Sequence, residues 1–597
     1  MLAAAWLALA PQQTVAQAGP QDWVDDLTPI AAAHWSEQRA GHLLERAGFG
    51  GTPEEIRALA ALGPEAAVRR LVQFKGVGDE PLAAFDHSGV HDAGLDPFPP
   101  SRPATTQLAK ETGEALGVKV KPAGNRRLQP VVNRFFYWLR ASRLETDRVG
   151  YWWANRMLAS PRPLEEKMAL FWHGHFATNE DKVRDYRKML GQIELFQRQG
   201  LGSFRDLLIG VAQDPAMLAF LDAGVNVKGA PNENFAREIM ELFTMGVGNY
   251  TESDIREAAR AFTGWNFVNL SFVVNHSEHD ASAKTVLGRT GPFDGIDVID
   301  IILSQPVTAE YLAAKIYRYF VREELSDSLR AELGARLRES GYDVRGLLQT
   351  LFLSRDFYSA PSYATHIKSP VQLVISTYRK LGLTQVPGVP DFNEITQALG
   401  QRLLHPPTVA GWARDRSWIT PGLLIARGNF AYELMFPDIS FVPKDHFSPD
   451  PQIRAVGQRI ARGFDISSAT VPDSGDAPMS MSNQMADRDE DFNTRYGSYK
   501  GWQMAIQKVK PIPRHTAHID VGAMVLAAGA KTSEQAIDYL ASRFLRAEID
   551  EAQRHELIAF LGAELGTDDL ERAASYMDEA LRMVLHLMMS LPEYQLG

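Results

Sequence analysis

The sequence predicts a mainly α-helical fold, a large multi-helix domain that carries a small β-hairpin and long irregular loops. Apolar residues recur at helical spacing through most of the 597-residue chain, a pattern typical of amphipathic helices around a shared core. Strand-like alternation is found mainly in the stretches 266–280 and 284–291, where it predicts two or three short strands.

The first predicted helices lie between residues 32 and 74. Gly48, Gly50 and Gly51 end one helix, and Thr52-Pro53-Glu54-Glu55 begins the next. Threonine is a favoured N-cap and proline fits the first helical position, so this tetrapeptide is a helix start.

Helical periodicity returns in the aromatic-rich stretch that begins near residue 129. Ser160-Pro161-Arg162-Pro163 predicts a turn, and the residues after it predict a helix from about Leu164 to Trp172. Further helices are predicted within residues 203–224, 232–265, 295–385 and 392–435.

Beyond the N-terminus, composition divides the chain into three parts. Residues 33–435 form the main helical domain, and residues 437–515 are predicted to be a flexible polar insertion because they contain few branched apolar residues. The segment 516–597 is helical and amphipathic, and we expect it to pack on the main domain.

The N-terminus predicts the remnant of a secretory signal peptide at residues 1–18. An apolar run, Leu2 to Ala10, precedes Ala16-Gln17-Ala18, which has the small-x-small pattern of a cleavage site. The alternative is a disordered alanine-rich tail. The run is too short for a membrane span and no other candidate span is found, so we expect an exported protein, periplasmic or extracellular.

Charge and cysteine content exclude several functions. With 73 acidic and 62 basic residues the net charge is −11, which gives no basic footprint for nucleic acid. The chain has no cysteine, so disulfides, thiolate metal sites and a cysteine nucleophile are excluded. A bound metal would be a divalent ion held by histidines and carboxylates, such as Zn, Mn, Fe or Ca.

The stretch FWHGHFATNEDKV is the first candidate site. Residues at positions i and i+2 lie about 200° apart on a helix but share a face on an extended segment. Gly174 and the predicted helix end favour the extended segment, where His173, His175 and Asp181 are candidate metal ligands, with Glu180 nearby. The alternative is that the histidines cap a helix end, where the dipole favours a cation.

The stretch NENFAREIMELFTMGVG is the second candidate. Asn234, Glu238 and Glu241 fall on one helix face, away from an apolar stripe. Such a row can supply metal ligands or a general acid and base. The alternative is a solvated face, on which Arg237 forms weak ion pairs with Glu233 and Glu241.

Two loops supply further candidates. His279 and Asp280, with Lys284, lie next to glycine-rich turns and could face a cleft, or could be ordinary turn residues. Trp412 and Trp418 flank a charged stretch, residues 414–416. Aromatic residues beside polar groups suit sugar stacking, but packing at a helix start is the simpler interpretation.

Several blocks in order resemble one bacterial family. HLLERAGFGGTPEEI, KMALFWHGHFATNEDKV, HDASAKTVLGRTGPFDGIDVIDIIL, KSPVQLV and GQRLLHPPTVAGWARDRSWI, together with the stretch from Asn232 to Trp265, are similar to the family called domain of unknown function 1800. The resemblance covers residues 33–435, and the C-terminal LHLMMSLPEYQLG also fits. The chain departs from the family pattern at Ala281-Ser282-Ala283 and at the 437–515 insertion.

The resemblance implies an exported protein with no settled activity, whose relatives are often encoded beside sulfatase-like exported proteins. A sulfatase-like protein is therefore an expected partner. The family blocks contain every candidate residue named above, which supports a shared site.

The leading hypothesis is an exported hydrolase of a polysaccharide or another envelope polymer. A divalent metal, or a carboxylate pair assisted by histidine, would activate water. The catalytic candidates are Glu238, Glu241, His279 and Asp280, and the metal candidates are His173, His175 and Asp181. The alternative is a non-catalytic module that binds a glycan or a protein.

Overall fold

Capping residues set the boundaries of the first helices in the computed structural model of the chain. These helices are α1 (Glu37–Ala47), α2 (Pro53–Ala60) and α3 (Pro64–Gln73). Thr52 and Glu55 form a capping box at the start of α2, and Pro53 fills its first position, as predicted. The local sequence is sufficient here because each boundary depends on residues within one turn.

The structure describes residues 19–74, 77, 82–91, 129–437 and 499–597. These residues are mainly α-helical with two small antiparallel sheets, which confirms the predicted fold class. The predicted signal-peptide remnant, residues 1–18, and most of the predicted insertion, residues 438–498, lie outside the described residues.

The aromatic-rich centre forms six helices. They are α4 (Gln129–Ala159), α5 (Pro163–His175), α6 (Glu180–Val183), α7 (Tyr186–Gln199), α8 (Phe204–Ala212) and α9 (Pro215–Phe220). Helix α5 continues to His175, past the predicted end at Trp172, so the prediction of an extended segment for His173 and His175 is wrong. A glycine in a helix costs only about 1 kcal/mol relative to alanine. Burial of the aromatic side chains on either side of Gly174 outweighs that cost.

The next segment carries the two sheets. Its elements are α10 (Asn234–Glu238), a π-helix (Ile239–Met245), α11 (Glu252–Ala261), β1 (Trp265–Val268), β2 (Ser271–Val274), β3 (Lys284–Val286) and β4 (Arg289–Gly291). Strand β1 pairs with β2, and β3 pairs with β4. Each hairpin is a separate two-stranded antiparallel sheet at the positions where the sequence alternates.

The remaining helices enclose the main core. They are α12 (Gly295–Leu303), α13 (Pro306–Phe320), α14 (Asp327–Glu339), α15 (Val344–Leu353), α16 (Pro370–Lys380), α17 (Phe392–Ala398) and α18 (Pro421–Met435). One continuous set of buried apolar side chains extends from Trp23 to Tyr594.

The C-terminal segment adds six helices. They are α19 (residues 499–508), α20 (Val521–Ala527), α21 (Ser533–Phe544), α22 (Glu551–Leu565), α23 (Leu570–Ala573) and α24 (Met577–Ser590). Helix α24 contacts α18, and α21 contacts α16. Helix α19 lies within the predicted insertion, and a Cβ at Gly501 would collide with the backbone of Tyr137 in α4. A search of the described helices finds none with the length and apolar character needed to span a membrane.

Candidate functional site

A small cleft opens where four parts of the main domain meet. Leu170, Phe171 and Gly174 of α5 form one wall, and Arg318, Tyr319 and Glu323 at the end of α13 form another. The other two sides are His366 with the start of α16, and the loop from Trp412 to Trp418. The cleft therefore draws on three of the sequence blocks that resembled one family.

Gly174 lines the cleft, and the two histidines beside it do not. Because α5 is helical through His175, the side chains of His173 and His175 leave on opposite sides. Gly411 has a φ of +89°, and a Cβ on it would collide with the carbonyl oxygen of Gly174. Glycine is needed at position 411 so that this loop can lie against α5.

His173 is fully buried beside the cleft. Its Nε2 atom accepts a hydrogen bond from the Leu404 amide at 3.0 Å. Its ring lies edge-on to Trp412 at 5.1 Å between centroids. Burial, with a smaller contribution from the charge of His405, lowers the pKa of His173 to about 3, so the ring is neutral at neutral pH.

His175 links α5 to the π-helix. Its Nε2 atom lies 3.0 Å from the carbonyl oxygen of Phe243, to which it donates, and its Nδ1 atom lies 3.2 Å from Lys315 Nζ. Burial first and Lys315 second lower the pKa of His175 well below its usual value. Lys315 and Tyr311 also donate to the carbonyl of Leu242, each at 3.0 Å. These side chains therefore satisfy carbonyls at the end of the π-helix.

Asp181 lies at the surface, apart from the two histidines of α5. Its carboxylate accepts a hydrogen bond from Arg143 and lies 3.7 Å from His405 Nδ1. The interaction with His405, followed by the charge of Arg143, holds the pKa of Asp181 well below its usual range.

The structure does not bring His173, His175 and Asp181 together as metal ligands. Across residues 19–74, 77, 82–91, 129–437 and 499–597, no group of three or more histidines and carboxylates could hold a metal ion. Metal binding by the protein itself stays a prediction.

Glu238 and Glu241 lie together near the junction of α10 and the π-helix, away from the cleft. Burial and the neighbouring Glu241 raise the pKa of Glu238. Glu241 accepts a hydrogen bond from the Tyr250 hydroxyl. Arg237 pairs with Glu233 at 3.1 Å, as the solvated-face alternative predicts, and also with Glu252 at 2.8 Å.

His279 and Asp280 hold the second hairpin against α11. His279 Nδ1 donates to the carbonyl of Thr263 at 2.9 Å, and the Asp280 carboxylate accepts from Arg260 Nε at 2.8 Å. The hydrogen bond from Arg260 holds the pKa of Asp280 well below its usual range. The Lys284 ammonium donates to the carbonyls of Asp280 and Ser282. These contacts favour the turn interpretation, and none of the three predicted residues lines the cleft.

The cleft contains a pair of carboxyl groups, Glu323 and Asp415. Burial, followed by the influence of Asp415, raises the pKa of Glu323. Two neighbouring carboxyl groups favour keeping a proton on one of them, because ionising both brings like charges together.

Two arginines, Arg46 and Arg318, hold the backbone around Glu323. Arg46 donates to the carbonyls of Phe320 and Val321, at 2.9 and 3.2 Å, and so fixes the end of α13 just before Glu323. Arg318 Nε donates to the carbonyl of Glu323 at 3.2 Å. Asp415 has a φ of +52°, a left-handed conformation that costs about 1 kcal/mol or more for a residue other than glycine.

His366 lies at the opposite wall of the cleft. Burial, followed by the charges of Arg46, Lys167 and Arg414, lowers its pKa well below the usual value, so the ring is neutral. Beside it, Gln372 accepts a hydrogen bond from the buried Lys167 ammonium at 2.7 Å. The neutral imidazole of His366 lies across from the carboxyl groups of Glu323 and Asp415. The cleft therefore contains groups that can accept and donate protons.

Two of these cleft residues, Glu323 and His366, are not among the candidates that the sequence predicts. His366 lies just before the KSPVQLV block, which was the one available signal. Glu323 lies in VREEL, where nothing in the local pattern separates it from a surface residue. Asp415 was noted only as part of a charged stretch between two tryptophans.

Glu180→Gln is expected to make the stability of the protein less dependent on pH. Glu180 is buried, its Oε1 atom accepts from the Ser142 hydroxyl at 2.8 Å, and burial raises its pKa to about 8 from an ordinary value of 4.5. Between these values the unfolded chain has lost the proton that the folded protein keeps. The contribution of Glu180 to stability is therefore fully present below the ordinary pKa and is lost as the pH rises through the folded one.

Thermal unfolding at about pH 5 and about pH 8 measures this dependence. The melting temperature of the wild type should fall more between the two than that of Glu180→Gln. Glu194→Gln is the control, because Glu194 is exposed and only loosely paired with Arg198. Equal pH dependence in wild type and Glu180→Gln would contradict the prediction.

A family model described as "Protein of unknown function (DUF1800)" matches residues 42–596, nearly the whole chain. Neither the curated proteins nor the solved structures contain a match to the chain.

Proposed function

Because the chain belongs to the DUF1800 family of proteins of unknown function, we propose a function from its cleft, namely hydrolysis of an amide or ester bond in an envelope polymer. The observation that carries this proposal is that Glu323 and Asp415 line the same cleft and that Asp415 raises the pKa of Glu323. The protonated member would donate to the carbonyl oxygen of the substrate. The ionised member would accept a proton from the attacking water.

The closeness of the two carboxyls supports this bond type over a glycosidic bond. Glycosidases keep their two carboxyl groups about 5 to 10 Å apart, with a sugar or a water between them. Asp415 raises the pKa of Glu323, as expected of two carboxyls that lie close together, and such closeness is typical of carboxyl dyads that direct water at a carbonyl carbon.

The tryptophans of the cleft also argue against sugar stacking. Trp412 and Trp418 are 8% and 7% exposed, so neither offers an open ring face to a sugar. Trp412 instead packs on His173. These contacts support the packing interpretation of the two tryptophans and weaken the case for a glycan-binding module.

We propose that the protein acts outside the cytoplasm. The support is the apolar run and small-x-small pattern at its N-terminus. An envelope polymer then has access to the cleft, and a sulfatase-like exported partner stays a prediction.

Glu323→Gln and Asp415→Asn are each expected to reduce turnover by about 100-fold, because each change removes one half of the carboxyl pair. Purified protein would be incubated with peptidoglycan, a protein substrate, an O-acetylated polysaccharide and its deacetylated form. Released amines and acids would be measured beside released reducing ends. Glu324→Gln is the matched control, since Glu324 neighbours Glu323, is exposed and does not line the cleft.

Two results would overturn the proposal. One is release of reducing ends by the wild type, without amines or acids. The other is full activity of Glu323→Gln on a polymer that the wild type cleaves.

A further inference from the structure

Arg414 places a guanidinium in the cleft. Its side chain lines the cleft and, within the described part of the chain, makes no hydrogen bond or ion pair. Its charge acts on the neighbouring Glu323. The donors of this guanidinium are therefore available to acceptors that a ligand supplies.

Other unused donors lie around the same space. The indole Nε1 of Trp418 is buried and has no acceptor among the described residues. Arg318 uses its Nε atom on the carbonyl of Glu323, and no acceptor among the described residues faces its terminal nitrogens. Two guanidinium groups and an indole N–H thus offer donors to the cleft, and donors of this kind bind oxyanions.

Charged groups of both signs line the cleft. Arg318 and Arg414 lie in its walls with Glu323 and Asp415. The raised pKa of Glu323 favours its neutral form, which reduces the negative charge set against the two guanidinium groups. Arg46 and Lys167 act on His366 from behind the wall.

We propose that Arg414 binds an anionic oxygen group of the substrate, a carboxylate or a sulfate, so that the polymer hydrolysed in this cleft is an acidic one. The inference deepens the proposed hydrolase function. It rests on that proposal because the bound anion is part of a substrate only if the cleft is catalytic. The site for the anion does not depend on turnover. The planar fork of arginine can hold two oxygens of either group, and the next residue in the chain belongs to the carboxyl pair.

The test measures the binding of small anions by thermal shift and by titration calorimetry. Acetate and inorganic sulfate are the two probes, and they distinguish a carboxylate from a sulfate substrate. Chloride at equal ionic strength and neutral glycerol are the controls. At least one probe is expected to raise the melting temperature and to bind about tenfold or more weakly to Arg414→Ala.

Matched variants show whether a loss of anion binding comes from the Arg414 guanidinium itself, from a change in total charge, or from misfolding. Arg416→Ala, an exposed arginine that does not line the cleft, should bind as the wild type does. Arg414→Lys keeps the charge without the fork and should bind between the wild type and Arg414→Ala. Unchanged binding in both Arg414 variants would overturn the inference, as would binding of chloride alone or of neither anion.

Glu323→Gln distinguishes a failure of this inference from a failure of the proposed function. The anion site predicts that Glu323→Gln retains anion binding while it loses turnover. Turnover by the wild type without anion binding would overturn the anion site and leave the hydrolase proposal standing. Anion binding without turnover on any polymer would overturn the hydrolase and leave an anion-binding cleft.

Discussion

Asp356→Ala is expected to lower the free energy of unfolding by about 3–5 kcal/mol, because it breaks a buried charge network. The Asp356 carboxylate accepts from Arg322 at 2.6 Å, from the Tyr317 hydroxyl at 2.7 Å and from the Asp25 amide at 2.7 Å. Asp356 is fully buried and Arg322 is 5% exposed. Without Asp356 the guanidinium keeps, among the described residues, only Asp25 as an ionic partner, at 2.9 Å.

Urea unfolding followed by circular dichroism measures this loss. Asp327→Ala is the control, because Asp327 pairs with Arg330 but is 88% exposed, so its loss should cost less than about 1 kcal/mol. Tyr317→Phe should cost about 1 kcal/mol, the contribution of a single hydrogen bond. A change of less than about 1 kcal/mol in Asp356→Ala would mean that the network contributes specificity more than stability.

The network also concerns the cleft, because Glu323 directly follows Arg322. Two buried arginines fix this turn from different sides: Arg46 holds the last carbonyls of α13, and Arg322 is held by Asp356. We therefore expect Asp356→Ala to lose the proposed hydrolytic activity at temperatures where the rest of the fold persists.

Local signals in the sequence were sufficient for elements whose boundaries depend on one turn. The capping box at Thr52 gave the start of α2. Alternation gave the positions of the strands, but it predicted one hairpin of two or three strands where the structure has four strands in two hairpins. Gly174 shows the opposite case. Its own helix propensity favours a break, but packing of α5 against α7 keeps the helix intact through His175.

The candidate site could be predicted only in part, because its groups meet through the tertiary fold. The family blocks contain Gly174 and Asp415, but the residue types of the first block indicate its histidines as the site candidates. Those histidines are buried beside the cleft, while the residue between them lines it. Glu323 becomes unusual only when Asp415, far away in the chain, is placed against it. No pattern within a single helix or loop carries that information.

His173→Ala is expected to destabilise the protein by roughly 2–4 kcal/mol, because it leaves a cavity and an amide without its acceptor. The His173 side chain is fully buried and accepts the Leu404 N–H. Leu404 has a φ of +66° and its carbonyl accepts from the Glu180 amide at 3.0 Å. The imidazole therefore holds a strained residue that joins the loop before His405 to the start of α6.

Urea unfolding of two variants decides whether His173 is structural or catalytic. His173→Gln places an amide oxygen near the position of Nε2, so it should recover part of the loss if the bond to Leu404 is what matters. His279→Ala is the comparison, since His279 is partly exposed and bonds to one carbonyl, and it should cost about 1 kcal/mol. If His173→Ala were as stable as the wild type yet inactive, the sequence-based prediction of a catalytic or metal-binding histidine would be correct. A large loss of stability that His173→Gln reduces would instead show that His173 is structural and that its bond to the Leu404 amide is what the fold requires.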